Sequence, residues 1–212
     1  MLKPQNIITF DEISEKYTTW IIEYYSTTFN NSLFMIWYRD NDENSTDKLL
    51  TYNDGQIFAI SSLAELKTKL NSEINNIELF GNINYWLDNF KNLEITKSST
   101  YDLISLSNNL DINNLDDTTL ENFANFINLF NDFVNQDKRN NHLHTLSDDD
   151  LIQETYDYYY NFIFWPRFND KEKFNNWERP RSNIDTTELF IKLKELIKTF
   201  EANIKFTEKA IC

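Results

Sequence analysis

Glycine is almost missing from this chain: Gly55 and Gly81 are the only two in 212 residues. A phosphate cradle, a dinucleotide-binding turn and a G-x-S-x-G nucleophile elbow all need glycines where the backbone turns at positive φ or approaches a ligand closely, so these motifs are excluded. Cysteine is reduced to Cys212, which excludes an internal disulfide and a thiolate metal centre and fits a reducing, cytoplasmic setting. Cys212, as the last residue, is not expected to be a nucleophile, since that role needs a fixed, electropositive site that a chain terminus seldom supplies. Long apolar runs are lacking too. The longest, LFMIWY at Leu33–Tyr38, is far short of the roughly 20 residues of a membrane-spanning helix. The opening MLKPQNIITFDEIS has neither the basic head nor the apolar stretch of a secretory signal.

Positive charge is also in deficit. The chain carries 20 Lys and Arg against 34 Asp and Glu, a net −14, and the excess is uneven. Residues 1–165 hold 10 basic and 26 acidic side chains, a net −16, whereas residues 166–212 hold 10 and 8, a net +2. Such a field repels phosphate backbones and anionic lipid and draws in basic partners. Direct nucleic-acid binding and membrane binding are therefore not expected.

What is present is enough to fold. With 41% hydrophobic and 16% aromatic residues and three prolines, the composition is that of a globule rather than an acidic tail. The length suits one compact domain over 1–212, monomeric when free. Thr9 with Glu12 reads as a capping box opening a helix of about four turns, with Ile13, Tyr17, Trp20, Ile21 and Tyr24 at helical spacing. Leu33–Tyr38, Lys48–Tyr52 and Gln56–Ile60 read as a three-stranded antiparallel meander whose second turn is Asn53-Asp54-Gly55. Ser62 with Glu65 starts a helix with Leu63, Leu66 and Leu70 on one face, and Ile83–Leu93 forms the next; 101–106 reads as a short strand or an extended linker. Thr118 with Glu121, then Ser147, then Asp185 with Glu188 mark three later helices, the last striped by Leu189, Phe190, Leu193, Leu196, Ile197, Phe200 and Ile204. The expected fold class is α+β, an N-terminal antiparallel hairpin or meander region packed against a predominantly helical remainder.

The stretch SDDDLIQETYDYYYNF, residues 147–162, bears most directly on function. On a helix, Ile152, Tyr156, Tyr159, Tyr160 and Ile163 share one side, while Asp150, Glu154, Asp157 and Asn161 share the other. Tyr158 flanks the acidic stripe and Trp165 falls near its end. One reading is a solvated face whose aspartates serve their own helix N-terminus. The other is a docking face for a basic protein, carboxylates standing where phosphates would and aromatics giving anchoring area. Asp40, Asp42 and Glu43 form a second acidic patch. Their loop begins like a calcium-binding loop but has Ser45 where glycine is needed and Thr51 where a bidentate glutamate is needed. His142 and His144 are too few for zinc. In FWPRFNDKEKFNNWERPR, Phe164–Arg181, Pro166 would end the helix, the aromatics plug the core and the arginines neutralise carboxylates; alternatively Trp177 and Arg179 belong to a partner-binding loop. No metal, cofactor or catalytic residue is assigned. A carboxylate pair doing acid and base work is the remaining enzymatic route.

In this acidic, aromatic-rich, glycine-poor setting, the segment LFMIWYRDNDENSTDKLLTYNDGQIFAISSLAEL, a hairpin followed by a capped helix, resembles the immunity proteins of bacterial polymorphic-toxin and contact-dependent inhibition systems. The resemblance is one of overall character along the chain. It implies a one-to-one inhibitor of a cognate protein toxin, a basic nuclease by the charge argument, and it carries over no residue roles. The alternative is a generic acidic interaction module, such as a regulatory subunit or a phage-encoded decoy.

Overall fold

The computed structural model describes residues 8–29, 31–41, 45–79, 81–90 and 93–206. The protein is α+β, with the N-terminal strands preceding most of the helices. Where the sequence suggests one compact domain, contacts within the chain gather into two compact units. Among the described residues, one is formed from those within 8–25, 29–100 and 203–206, the other from 26–28 and 101–202.

The first unit opens with the expected capping box: Thr9 Oγ1 accepts from Glu12 N at 3.2 Å and Glu12 Oε2 accepts from Thr9 N at 2.9 Å. The helix it starts, α1 (Phe10–Lys16), has only seven residues, not four turns. Thr18 turns into the left-handed region at φ 47°, and Thr19–Tyr25 becomes strand β1. The β-branched and aromatic run TWIIEYY prefers an extended backbone, and a strand buried on both faces shows no alternation, so its residues mimic helical spacing. Thr18 is held by strand-like bonds, its carbonyl accepting from Arg39 N at 2.9 Å and its hydroxyl donating to Arg39 O at 3.2 Å.

Strand β2 (Leu33–Asp40) pairs with β1 on one side. On its other side it pairs with β3 (Thr46–Leu49) and, further along, with β4 (Ile57–Ile60), all antiparallel. The expected Asn53-Asp54-Gly55 turn links the last two: Gly55 takes φ 86° and donates its N–H to Tyr52 O at 2.8 Å. The expected hairpin is formed, Phe58 N donating to Leu50 O at 2.9 Å and Tyr52 N to Gln56 O at 2.8 Å, while β2 borders both β3 and, further along, β4. Ser62 makes no side-chain cap; a short tight turn, Leu63–Glu65, precedes α2 (Leu66–Glu73), which buries Leu66 and Leu70.

Helix α3 (Ile83–Asn89) buries Ile83, Trp86 and Leu87. Trp86 stacks on Phe90 at 4.4 Å and meets Phe10 of α1 edge-on at 5.9 Å, so the capped helix and α3 join in one core with Ile21, Ile36, Tyr38 and Phe58 of the sheet. Burying such side chains stabilises by about 1.5–3 kcal/mol each. Strand β5 (Ser99–Asp102) lies beside β1 at one end of the sheet. At the other end, residues 204–206 run parallel to β4.

In the second unit the segment left open between strand and linker ends in a helix that periodicity did not reveal: α4 (Leu103–Asp111), capped by Asp102, which accepts from Ser105 N at 2.9 Å. Helix α5 (Asp117–Asn135) buries the expected Leu120, Phe123, Ile127, Phe130 and Val134, but its cap is Asp116, accepting from Thr119 N at 2.8 Å, rather than Thr118. The short helix α6 (His144–Ser147) leads to α7 (Asp150–Tyr159), followed by α8 (Trp165–Asn169) and α9 (Lys171–Asn175). The last helix, α10 (Thr186–Ala202), is capped by Asp185 as expected and buries Leu189, Leu193, Leu196 and Phe200. It stops before Ile204, which opens strand β6 (Ile204–Phe206) instead of extending the helical stripe.

Candidate functional site

Helix α7 is fixed at its start by Asp149, not by Ser147. Asp149 Oδ1 accepts from the N–H groups of Leu151 at 3.0 Å and Ile152 at 3.4 Å, and Oδ2 accepts from Lys192 Nζ of α10 at 2.6 Å. The Lys192 hydrogen bond and the capped amides hold the Asp149 carboxyl below its ordinary range. Ser147 is buried and donates its hydroxyl to His144 O. The inner face of α7 carries buried Ile152, Thr155 and Tyr159. Tyr156 and Tyr160 clasp α5 through one side chain: Tyr156 OH donates to Asn128 Oδ1 at 2.7 Å, and Asn128 Nδ2 donates to Tyr160 OH at 2.9 Å.

With that face committed, Asp150, Glu154, Asp157 and Asn161 stand exposed in a row, as the helical wheel requires. Asp150, Glu154 and Asp157 have no ion-pair partner among the described residues, in contrast with Asp149. Asp150 lies in the first turn of α7, where negative charge favours the helix, whereas Glu154 and Asp157 add like charge at i, i+4 and i+7 that repels mildly.

The row continues because the helix does. After Tyr159 the backbone widens into a π turn over Tyr160–Phe164, where Trp165 N donates to Tyr160 O five residues back. Pro166 therefore does not end the helix, contrary to the sequence reading. The wide turn lets it sit in the first turn of α8, where its absent N–H matters little. The exposed ridge thus runs Asp150, Glu154, Asp157, Asn161, Trp165, Phe168, acidic at its beginning and aromatic at its end. Trp165 is 49% exposed, Phe168 73% and Trp177 40%. Phe168 is no core plug; it stacks on Phe164 at 6.1 Å with its other face open. Pro166, Asn169, Asp170, Lys173, Phe174 and Trp177 line a mostly apolar cleft of about 480 Å³. Trp165, Phe168 and Trp177 lie close together in sequence, Tyr25 and Tyr85 being the other exposed aromatics among the described residues, and such a cluster is a candidate interaction surface.

The other sequence candidates fall elsewhere. Tyr158 is half-buried and donates its hydroxyl to Pro180 O at 2.7 Å, tying down the segment after α9 rather than bordering the ridge freely. Arg179 is ion-paired with Asp117, and Arg167 Nη2 meets Glu121 Oε2 at 3.1 Å, so both arginines neutralise α5 carboxylates. Trp177 lies tilted at 35° against Phe162, ring centres 6.3 Å apart. Asp40 is not part of an exposed patch: it is 2% exposed and bound to Lys48 Nζ at 2.9 Å, because its place on β2 turns its side chain inward. Asp42 and Glu43 lie outside the described residues. His142 Nδ1 lies 3.0 Å from Arg139 O, and among the described residues no three His, Cys, Asp or Glu side chains gather as a metal-holding group. Among those residues, too, no helix is long and apolar enough to cross a membrane.

No family model and no curated protein matches this sequence. Among solved structures the chain is similar to the C-terminal domain of SatS, crystallised in complex with bromine, with a TM-score of 0.56 and 12% identity over 94% of this chain and 100% of that one. At that identity the likeness is one of fold.

Proposed function

We propose that this protein is an immunity-type inhibitor that binds a basic bacterial toxin one-to-one in the cytoplasm, through the ridge of α7 and α8. The observation that carries the reading is the exposed, unpaired carboxylate row of Asp150, Glu154 and Asp157 continued by exposed aromatics on the same helix. A toxin that cleaves nucleic acid needs a basic cleft, and a carboxylate row can occupy the phosphate positions there while the −14 charge accelerates encounter. The aromatic end supplies contact area of the kind that dominates interface energies. A standard inhibitory interface buries about 1,600 Å² and reaches a Kd of about 10⁻⁹ M.

The exposed aromatics also serve a second reading, an acidic interaction module with a basic partner that is not a toxin. Co-expression with a toxin encoded beside the gene separates the two. Rescue of growth, lost on reversal of Glu154 and Asp157, supports the inhibitor; no rescue from any such toxin leaves the interaction module.

A further inference from the structure

The carboxylate row accounts for attraction to a basic surface but not for the cleft beyond it. A purely electrostatic face has no use for Trp165, Phe168 and Trp177 standing 49%, 73% and 40% exposed, nor for a cavity of about 480 Å³ between Pro166, Phe174 and Trp177. Its polar lining is balanced, with Asp170 against Lys173, and the Asp170 carboxylate is already turned to its own helix, accepting from Lys173 N at 2.9 Å. The cleft therefore offers an incoming cation little net charge. What it offers is apolar wall.

We propose that this cleft is an anchor pocket for one apolar side chain, aromatic or large aliphatic, carried by the same basic partner whose positive groups meet Asp150, Glu154 and Asp157. The inference rests on the docking reading above and adds the chemistry of the partner. Charge decides the occupant. A second copy of this chain would bring a net −14 to a protein of the same charge, whereas a basic partner is drawn to the carboxylates that precede the cleft on α7. Backbone continuity fixes the arrangement. Glu154 and Trp165 are eleven residues apart along α7, the π turn and α8, about 16 Å at the usual rise of about 1.5 Å per residue, so the partner must hold its basic group and its apolar anchor at least that far apart. Trp177 in the lining is braced against Phe162 at 6.3 Å, and Trp165, next to Pro166 in the chain, is braced by Phe164 at 4.8 Å. A pocket with braced walls loses little side-chain entropy when it closes on a guest.

The test uses the full chain and three synthetic probes, 12-residue peptides with lysines at one end: one bearing a single phenylalanine at the other end, one with serine in its place, and one with glutamates replacing the lysines. Binding is followed by the indole N–H resonances of Trp165 and Trp177, with buried Trp86 as the internal reference. The phenylalanine peptide should bind roughly tenfold or more tightly than its serine counterpart, in line with burial of one aromatic side chain. It should shift Trp165 and Trp177 but not Trp86, and W177A should erase the gain. The glutamate peptide should not bind. Equal affinity with and without phenylalanine, or a gain that survives W177A, overturns the anchor and leaves the charge-based reading standing. Concentration-dependent shifts of Trp165 and Trp177 in the protein alone overturn it in favour of self-association. An intact phenylalanine gain without rescue from any adjacent toxin removes the inhibitor reading and keeps the anchor.

Discussion

Lys48 Nζ lies 2.9 Å from Asp40 Oδ2, with the two side chains 4% and 2% exposed, so two buried charges in the first unit neutralise each other inside it. Two charges taken out of water gain little net stability, but either one alone is costly. Asp40→Ala should therefore lose about 3–5 kcal/mol. The double change Asp40→Leu with Lys48→Met should lose much less. Urea unfolding followed by circular dichroism measures both, and equal losses would show that the pair is not the source of the cost.

The pairing of Asp149 with Lys192 gives a pH dependence of known sign. A carboxyl whose folded pKa is held below its unfolded value near 3.8 stabilises above that value, and the contribution is lost as pH falls through the folded pKa. Asp149→Asn keeps a capping side chain and removes the charge. Its melting temperature should fall below that of the unaltered protein at pH 7, and the gap should close in the acid range below the unfolded value. A gap that persists unchanged at low pH would mean that the cap, not the charge, is what the substitution disturbs.

At the alkaline end the sign reverses. Burial, followed by nearby acids, pushes the tyrosines Tyr52, Tyr101 and Tyr159 up to about 12. Between the ordinary phenol value near 10 and about 12, the folded protein holds protons that the unfolded chain releases, so stability is full below 10 and declines as pH rises through that window. Ultraviolet titration should show a group of tyrosines ionising near 12, with chemical stability falling over the same range. Ionisation of every tyrosine near 10 would contradict this.

The parts of the fold legible in the sequence are those whose signals are local. Thr9 with Glu12, Asp185 and the Asn53-Asp54-Gly55 turn each satisfy their own backbone, and the structure shows all three. The stripe of α5 is equally plain because nineteen residues repeat it. Errors arose where tertiary burial overrode spacing. Trp20, Ile21 and Tyr24 fit a helix by interval but lie in a strand covered on both faces, and Ile204 fits the α10 stripe but pairs with Ile57 in the sheet. Asp40 looked like loop charge because nothing local announces that Lys48, eight residues on, will face it across β2 and β3.

For the candidate site, the acidic half was legible from a simple wheel. Trp165 near its end is legible from the same wheel, but Phe168 is not, since a proline normally closes a helix; the widened turn at Tyr160–Phe164 lets the helix run on through Pro166 to Phe168.

The most direct measurement of the central claim is stopped-flow association with the basic partner at low and moderate salt, comparing E154K/D157K with a control reversal of Asp111 and Glu195. Both control residues are exposed and lie off the ridge. The ridge variant should associate at least tenfold more slowly at low salt and lose much of its salt dependence, with its circular dichroism melt little changed, while the control loses far less. Equal slowing by the two variants, or none by either, would contradict a docking face on α7.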